Sequence, residues 1–329
     1  MSYITDFPNG ISSFGVPAAG VSNSSFMGFG DTYFVDGTSG SDLQDGRSVG
    51  TAKKTIQAAV TLQIANASGR GDTIYVMPGT YAESITGDLS QCRLIGYHPF
   101  ATRVSPTSSH AYSGNLHDAL ITGFMFDSPS SSNTDYAALR FTTVQDSVIE
   151  NNRIGCKVDV ANSVGVMVGT YATGTTTCTF HRSSFRNNHI LANGGNQVFD
   201  YGFVWGSGSG DATNGNSRTG WNCDISNNII CAEKQGIRLI SNYAGSFGSV
   251  IRGNVITGDA ANHGETEEEG IYFLDDTDAT KLARIWVIDN RISSDTDAIK
   301  GFTVQLTQGN IVAVGGVGTS TPTDETIAN

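Results

Sequence analysis

The chain has 329 residues, of which only 15% are charged and 40 are glycine, with a formal charge of −12 and a pI near 4.8. That acidity excludes a nucleic-acid partner or an anionic membrane, because either calls for a basic patch and the longest basic cluster is Lys53-Lys54. Five cysteines (Cys92, Cys156, Cys178, Cys223, Cys231) follow no metal spacing and read as buried free thiols of a protein assembled in a reducing cytoplasm; no basic n-region follows Met1, so secretory export is not expected.

Residues 1 to 31 carry Phe7, Phe14, Phe26 and Phe29 between Gly and Pro, with one acidic residue before Asp31 and no basic one. A free flexible tail is depleted in such aromatics. The segment is expected either to fold back over the first coil of the body or to act as a docking arm. Its candidate contacts are Tyr3, Ile4, Phe7, Pro8, Phe14, Val16 and Pro17.

Residues 32 to 90 are expected to form an N-terminal cap. Its helix is placed at 51 to 66, where Ile56, Ala59, Val60 and Ile64 fall on one face. A strand with a Pro78-Gly79 turn follows, and the helix serves as a lid over an otherwise unpaired sheet edge.

Residues 91 to 312 repeat one phrase: SVIENNRI (147 to 154), SSFRNNHI (183 to 190), CDISNNII (223 to 230), SVIRGNVI (249 to 256) and IWVIDNRI (285 to 292). Its markers, Asn152, Asn188, Asn228, Asn254 and Asn290, lie 36, 40, 26 and 36 residues apart, and Asn310 adds a step of 20. Each Asn is followed by a second word that opens on Gly, as at Gly165, Gly202, Gly236, Gly270 and Gly301. Both words have strand character, and a corner between them needs a residue tolerant of left-handed backbone. A constant phrase with uneven spacing means a fixed coil with variable loops. The expected fold is all-β, a right-handed parallel β-helix whose Asn side chains stack into a ladder. Weaker copies at 119 to 126, where Phe124 replaces Asn, and at 92 to 97 bring the count to about eight coils, roughly 40 Å of column at ~4.8 Å each. Residues 313 to 329 are read as a polar tail.

The segment 33 to 86, with Val35-Asp36-Gly37, Gly40-Ser41-Asp42, Thr55-Ile56-Gln57-Ala58-Ala59, Gly71-Asp72-Thr73-Ile74 and Pro78-Gly79-Thr80-Tyr81, resembles the opening of right-handed β-helix proteins of the pectate-lyase-like superfamily. The match covers about a sixth of the chain. It specifies fold more than function, since that superfamily holds polysaccharide lyases, glycosidases, phage tailspikes and inert virion proteins. The stretch TDFPNGISSFGVP also resembles the N-terminal arms of tailed-phage structural proteins.

No complete lyase or glycosidase constellation stands out. Asn262-His263-Gly264 is a partial echo of a family turn, and Trp286-Val287-Ile288-Asp289 is one residue too long for the pectate-lyase phrase. The acidic stretch 259 to 278 is open to three readings: a solvated loop, a calcium site at Asp275, Asp276 and Asp278, or a catalytic carboxylate pair. Around the Gly- and Ser-rich excursion 206 to 221, Tyr201 and Trp221 are candidate glycan contacts, while Trp205 reads as core or subunit interface. His98, His110, His117, His181 and His189 show no metal spacing and are read as structural.

The residues and the resemblance together point to a structural virion protein of a tailed phage, a capsid decoration, head spike or tail appendage. It would be docked on other virion proteins and homotrimeric as the resemblance implies, with a host surface glycan as a further candidate partner. The alternatives are a tailspike-type depolymerase and a non-catalytic carbohydrate-binding protein. No cofactor is expected apart from candidate calcium.

Overall fold

The computed structural model describes residues 11–13, 16–19, 30–66, 71–129, 137–158, 160, 162–170, 178–192, 197–207, 218–241, 246–258, 269–275, 285–294, 297–300, 306–314 and 323–324. The chain is all-β with one α-helix among these residues, and the strands of its coils stack in parallel on those of the next coil. One face is a ten-stranded ladder: Thr32–Val35, Asp72–Val76, Cys92–Gly96, Leu120–Thr122, Val148–Glu150, Ser184–Arg186, Asp224–Ser226, Ser249–Arg252, Ile285–Ile288 and Leu306–Gln308. The last eight carry the repeated phrase, its weaker copies or the shorter Asn310 step; the first two precede any copy. No break in this ladder falls at residue 91, because Asp72–Val76 pairs in register with Cys92–Gly96.

Five successive strands of this face, from Leu120–Thr122 to Ser249–Arg252, are each bounded by two left-handed residues. Asp146 (φ 51°) and Asn151 (φ 54°) flank Val148–Glu150, Asn222 and Asn227 (both φ 54°) flank Asp224–Ser226, and Gly248 (φ 70°) and Gly253 (φ 63°) flank Ser249–Arg252. Asn, Asp and Gly tolerate this conformation at low cost, so their spacing sets strand length. Inward side chains then fall in register. Ile74, Leu94, Ile121, Ile149, Phe185, Ile225, Ile251 and Val287 form one continuous column, every member at most 2% exposed. Burying each such side chain is worth about 1.5–3 kcal/mol against leaving it in water.

Two further faces close the coil. One runs from Gly79–Tyr81 through Thr102–Val104, Met125–Asp127, Arg153–Gly155 and His189–Leu191 to Ile311–Val314. The other contains the long strands Ala137–Gln145, Phe199–Ser207 and Ile229–Ser241. On that third face the first half of Ala137–Gln145 pairs with Val164–Thr170 and its second half with Cys178–His181. Thr323–Asp324 turns back antiparallel onto Ile311 and Val312 at the last edge.

The helix is Ile56–Asn66, five residues shorter at its start than the expected 51 to 66. Residues 49–51 form a 3-10 turn capped by Ser48, and Lys53 bridges to Val35, so that stretch is committed elsewhere. Two carboxylates hold the helix start: Asp42 accepts the amides of Lys54 and Thr55 at 2.8 and 2.9 Å, and Glu83 accepts those of Ile56 and Gln57, both at 2.9 Å. Acidic groups at free N–H ends are favourable there. Ile56, Ala59 and Val60 are buried, but Ile64 is 41% exposed and Gln63 takes the buried position. The helix lies against the first coil, where the Gln57 amide pairs both ways with the backbone of Thr86, donating to its oxygen at 2.9 Å and accepting its N–H at 2.6 Å. A side chain thereby satisfies a strand edge that, among the described residues, pairs with no strand on that side.

At one corner of the coil the Asn side chains form an unbroken chain of hydrogen bonds. Asn228 Oδ1 accepts the Asn188 backbone N–H at 2.9 Å while Asn228 Nδ2 donates to Phe185 O and to Asn254 Oδ1. The pattern runs from Asn152 to Asn310, and its first member, Asn152, accepts the N–H of Phe124. All six Asn side chains belong to residues at most 1% exposed. A parallel column of small side chains occupies the opposite end of the phrase. Ser147 Oγ accepts the Ala119 N–H, Ser183 Oγ that of Ser147, and Ser249 Oγ that of Cys223.

Candidate functional site

The left-handed corner that begins each phrase faces solvent and carries a different side chain on each coil. Gln91, Asp118, Asp146, Arg182 and Asn222 occupy it in succession, followed by Gly248. Arg182 (φ 44°) is neither Gly, Asn nor Asp, and holding it there costs roughly 1–2 kcal/mol. Such outliers concentrate at functional sites. Its guanidinium grips the Asp146 carboxylate of the preceding coil with two bonds, Nε to Oδ1 at 2.5 Å and Nη2 to Oδ2 at 2.6 Å.

An open groove of about 390 Å³ runs beside this corner, lined by Asp118, Asp146, Val148, Arg182, Ser183, Ser184, Asn222 and Asp224. Asp224 accepts from Ser226 Oγ at 2.9 Å and from Arg252 at 3.2 and 3.3 Å. The residues preceding the corner, His117, Gln145, His181 and Trp221, are themselves in register on adjacent coils. The Trp221 indole is 48% exposed and stacks on His181, with centroids 5.5 Å apart and planes 18° from parallel. The Arg182 hydrogen bonds hold the Asp146 carboxyl below its usual range, and burial pushes the His181 imidazole down, so His181 is neutral at neutral pH.

Of the residues singled out in the sequence, Trp221 adjoins this groove through its neighbour Asn222 without lining it, and Tyr201 is remote from it. Tyr201 is 9% exposed, on the outer side of the third face, with the Arg238 guanidinium 5.0 Å from its ring centroid. Trp205 is core, 3% exposed and edge-on to Phe180. Asp275 ends strand Glu269–Asp275 by its backbone, while Asp276 and Asp278 lie outside the described residues. From the same acidic stretch, Glu269 is 1% exposed and bound by Lys300 at 2.5 Å and Gln235 at 2.9 Å, which a solvated loop does not explain. Among the described residues no cluster of His, Cys, Asp and Glu could hold a metal ion.

In the N-terminal segment, Ile11–Ser13 and Val16–Ala19 pair antiparallel as a two-stranded sheet of their own, which includes the backbones of Val16 and Pro17. Tyr3, Ile4, Phe7, Pro8 and Phe14 lie outside the described residues. Four of the five cysteines are buried, Cys231 is partly exposed, and all are free thiols. His110 is buried with Nδ1 2.8 Å from Ala137 O. Among the described residues no helix is long and apolar enough to cross a membrane.

The sequence reading missed Asp118, Asp146, Arg182 and Asn222. A positional signal was present, because each lies six residues before its ladder position, at Phe124, Asn152, Asn188 and Asn228. The amino-acid types at that offset differ, so no repeated word marks them.

No family model matches the sequence, and no curated protein is similar to it. Solved structures do share the fold. A pectin methylesterase variant held with a hexasaccharide aligns over 82% of this chain and 80% of its own, at 12% identity and a TM-score of 0.51. A GH136 lacto-N-biosidase from Eubacterium ramulus aligns over 87% of this chain at 10% identity and a TM-score of 0.51, and this chain spans 55% of that protein's length. Open reading frame 18 of Geobacillus virus E2 aligns over 79% of this chain and 57% of its own, at 16% identity; its TM-score of 0.29 is too low to carry an argument. The class is that of right-handed parallel β-helix proteins. At these identities the likeness speaks for fold alone.

Proposed function

We propose that this chain is a non-enzymatic, glycan-contacting β-helix displayed on the particle of a tailed phage and fixed to it through residues 1 to 31. The observation that carries the glycan part is Trp221, half exposed on a stacked His181 beside a groove of carboxylates, hydroxyls and an amide. An aromatic face with hydrogen-bonding groups around it suits the apolar face and hydroxyl rim of a sugar ring. Attachment to the particle is supported by the aromatic-rich N-terminal sequence and by its hairpin, which forms a sheet separate from the solenoid. Homotrimerisation belongs to the same proposal.

The depolymerase reading is weaker at this groove. A glycosidase general acid needs a carboxyl whose pKa is raised, and Asp146 is shifted the other way by Arg182. Two experiments test the proposal. A glycan array with the full chain and with Trp221→Ala should show binding that the substitution weakens, without release of shorter products. Immunogold electron microscopy of phage from the producing lysate should label particles; unlabelled particles with free antigen would remove the virion role.

A further inference from the structure

The groove's form and charge narrow the class of ligand it can take, provided that the glycan-contacting reading holds. His117, Gln145, His181 and Trp221 form one row along the solenoid axis, and Asp118, Asp146, Arg182 and Asn222 form a second row directly beside it. Successive coils in such a stack are about 4.8 Å apart, close to the length of a pyranose unit in an extended chain. A glycan lying parallel to the axis therefore meets a fresh pair of side chains at each ring.

The charges are unevenly matched. Three carboxylates line the groove, from Asp118, Asp146 and Asp224, against one guanidinium, from Arg182. Arg182 is engaged by both its Nε and Nη2 on Asp146, and the nearby Arg252 is engaged in the same way on Asp224. Among the described residues Asp118 makes no ion pair, although it lies close enough to act electrostatically on Arg182. A sugar carboxylate entering here would meet the uncompensated charge of Asp118 and find both arginines already taken by Asp146 and Asp224. Sugar hydroxyls, by contrast, donate readily to carboxylates and exchange bonds with the Asn222 amide.

We infer that the groove binds an uncharged glycan laid along the axis at about one ring per coil, and that Asp118 is the specificity residue that turns uronate polymers away. Asn at position 118 keeps the left-handed backbone (φ 50°) while removing the charge, so Asp118→Asn is a conservative probe.

The test is calorimetric titration of the full chain with length-matched neutral oligosaccharides (cello-, malto- and chito-series) and uronate oligosaccharides (galacturonan and alginate), repeated with Trp221→Ala and Asp118→Asn at low and physiological salt. The expected result is binding of at least one neutral series that Trp221→Ala weakens about tenfold or more, uronates weaker by a similar factor, and a preference that narrows in Asp118→Asn and with added salt. Uronates bound as tightly as neutral chains would overturn this inference while leaving the glycan-contacting reading in place. An unchanged preference in Asp118→Asn would overturn the role of Asp118. Absence of binding in either class would overturn the glycan-contacting reading itself.

Discussion

Ile292 places its Cγ2 methyl directly over the Cα of Gly270, so that a β-carbon at Gly270 would collide with it. The same contact recurs between Ile256 and Gly236, Ile230 and Gly202, and Ile190 and Gly165. The Ile that closes the first word and the Gly that opens the second are thus two halves of one packing unit. These glycines serve close approach, and the left-handed positions lie instead at residues such as Asn151, Asn187 and Asn227.

Replacing Gly236 by Ala should therefore destabilise the solenoid by overpacking, by about 1–3 kcal/mol. Its Cβ would meet Ile256 Cγ2, on a residue with no exposed surface, and lie 2.8 Å from the backbone oxygen of Gly270. Pairing it with Ile256→Val does not help, because valine keeps a γ-methyl, whereas Ile256→Ala should recover part of the loss. Chemical denaturation of the single and double variants measures the coupling; additive losses would show that the contact is not the cause.

Asn228 to Ala should be costlier than an ordinary surface change. It leaves the buried Asn188 N–H without a partner and takes a donor from Phe185 O, and an orphaned buried N–H alone costs about 1–3 kcal/mol. Asn228→Asp should be no better, since the new carboxylate oxygen faces Phe185 O where Nδ2 donated. A denaturation midpoint within error of wild type for either variant would mean that the ladder adds little to stability.

The ladder and the core were legible because the same side chain solves the same problem on every coil. Asn152, Asn188, Asn228, Asn254 and Asn290 each satisfy a buried backbone corner, so their identity is fixed and a phrase repeats. The groove was not legible for the opposite reason. Asp118, Asp146, Arg182 and Asn222 share a backbone conformation and point to solvent, where no common packing demand fixes the side chain. The helix start was misplaced because Thr51 to Lys54 have acceptable helical composition, but Asp42, 12 residues before Lys54, claims the amides of Lys54 and Thr55 through a tertiary contact. Ile64 likewise fits the apolar stripe by spacing, yet it stays 41% exposed while its neighbour Gln63 takes the buried position.

Cys223 should accept Ser with little loss, under about 1 kcal/mol, because Ser147, Ser183 and Ser249 fill the equivalent place on neighbouring coils. Its thiol donates to Phe180 O, and burial pushes its pKa up to about 12. In the folded protein Ellman's reagent should find Cys231 first and leave Cys92, Cys156, Cys178 and Cys223 unmodified until denaturation. Rapid reaction of several thiols in the native state would contradict the burial.

Mild acid should destabilise the fold through His110. The imidazole bridges Ala137 O, 2.8 Å from Nδ1, and Arg140 Nη1, 3.4 Å from Nε2, an arrangement that the neutral ring satisfies by donating from Nδ1 and accepting at Nε2. Burial, and secondarily the Arg140 charge, push its pKa below the usual value of 6.5, as burial does for the more exposed His181 and His189. The unfolded chain therefore takes up protons at these positions before the native one does. Stability is fully present above about pH 6.5 and falls as pH drops through that value toward the lower native pKa. The melting temperature should be lower at pH 5.5 than at pH 7.5, and His110→Gln, which cannot titrate, should shrink that difference. Asp146 adds a separate loss only at more acidic pH, because its native pKa is depressed by Arg182 and its contribution disappears as the carboxylate protonates. An equal pH difference in wild type and His110→Gln would place the titrating group elsewhere.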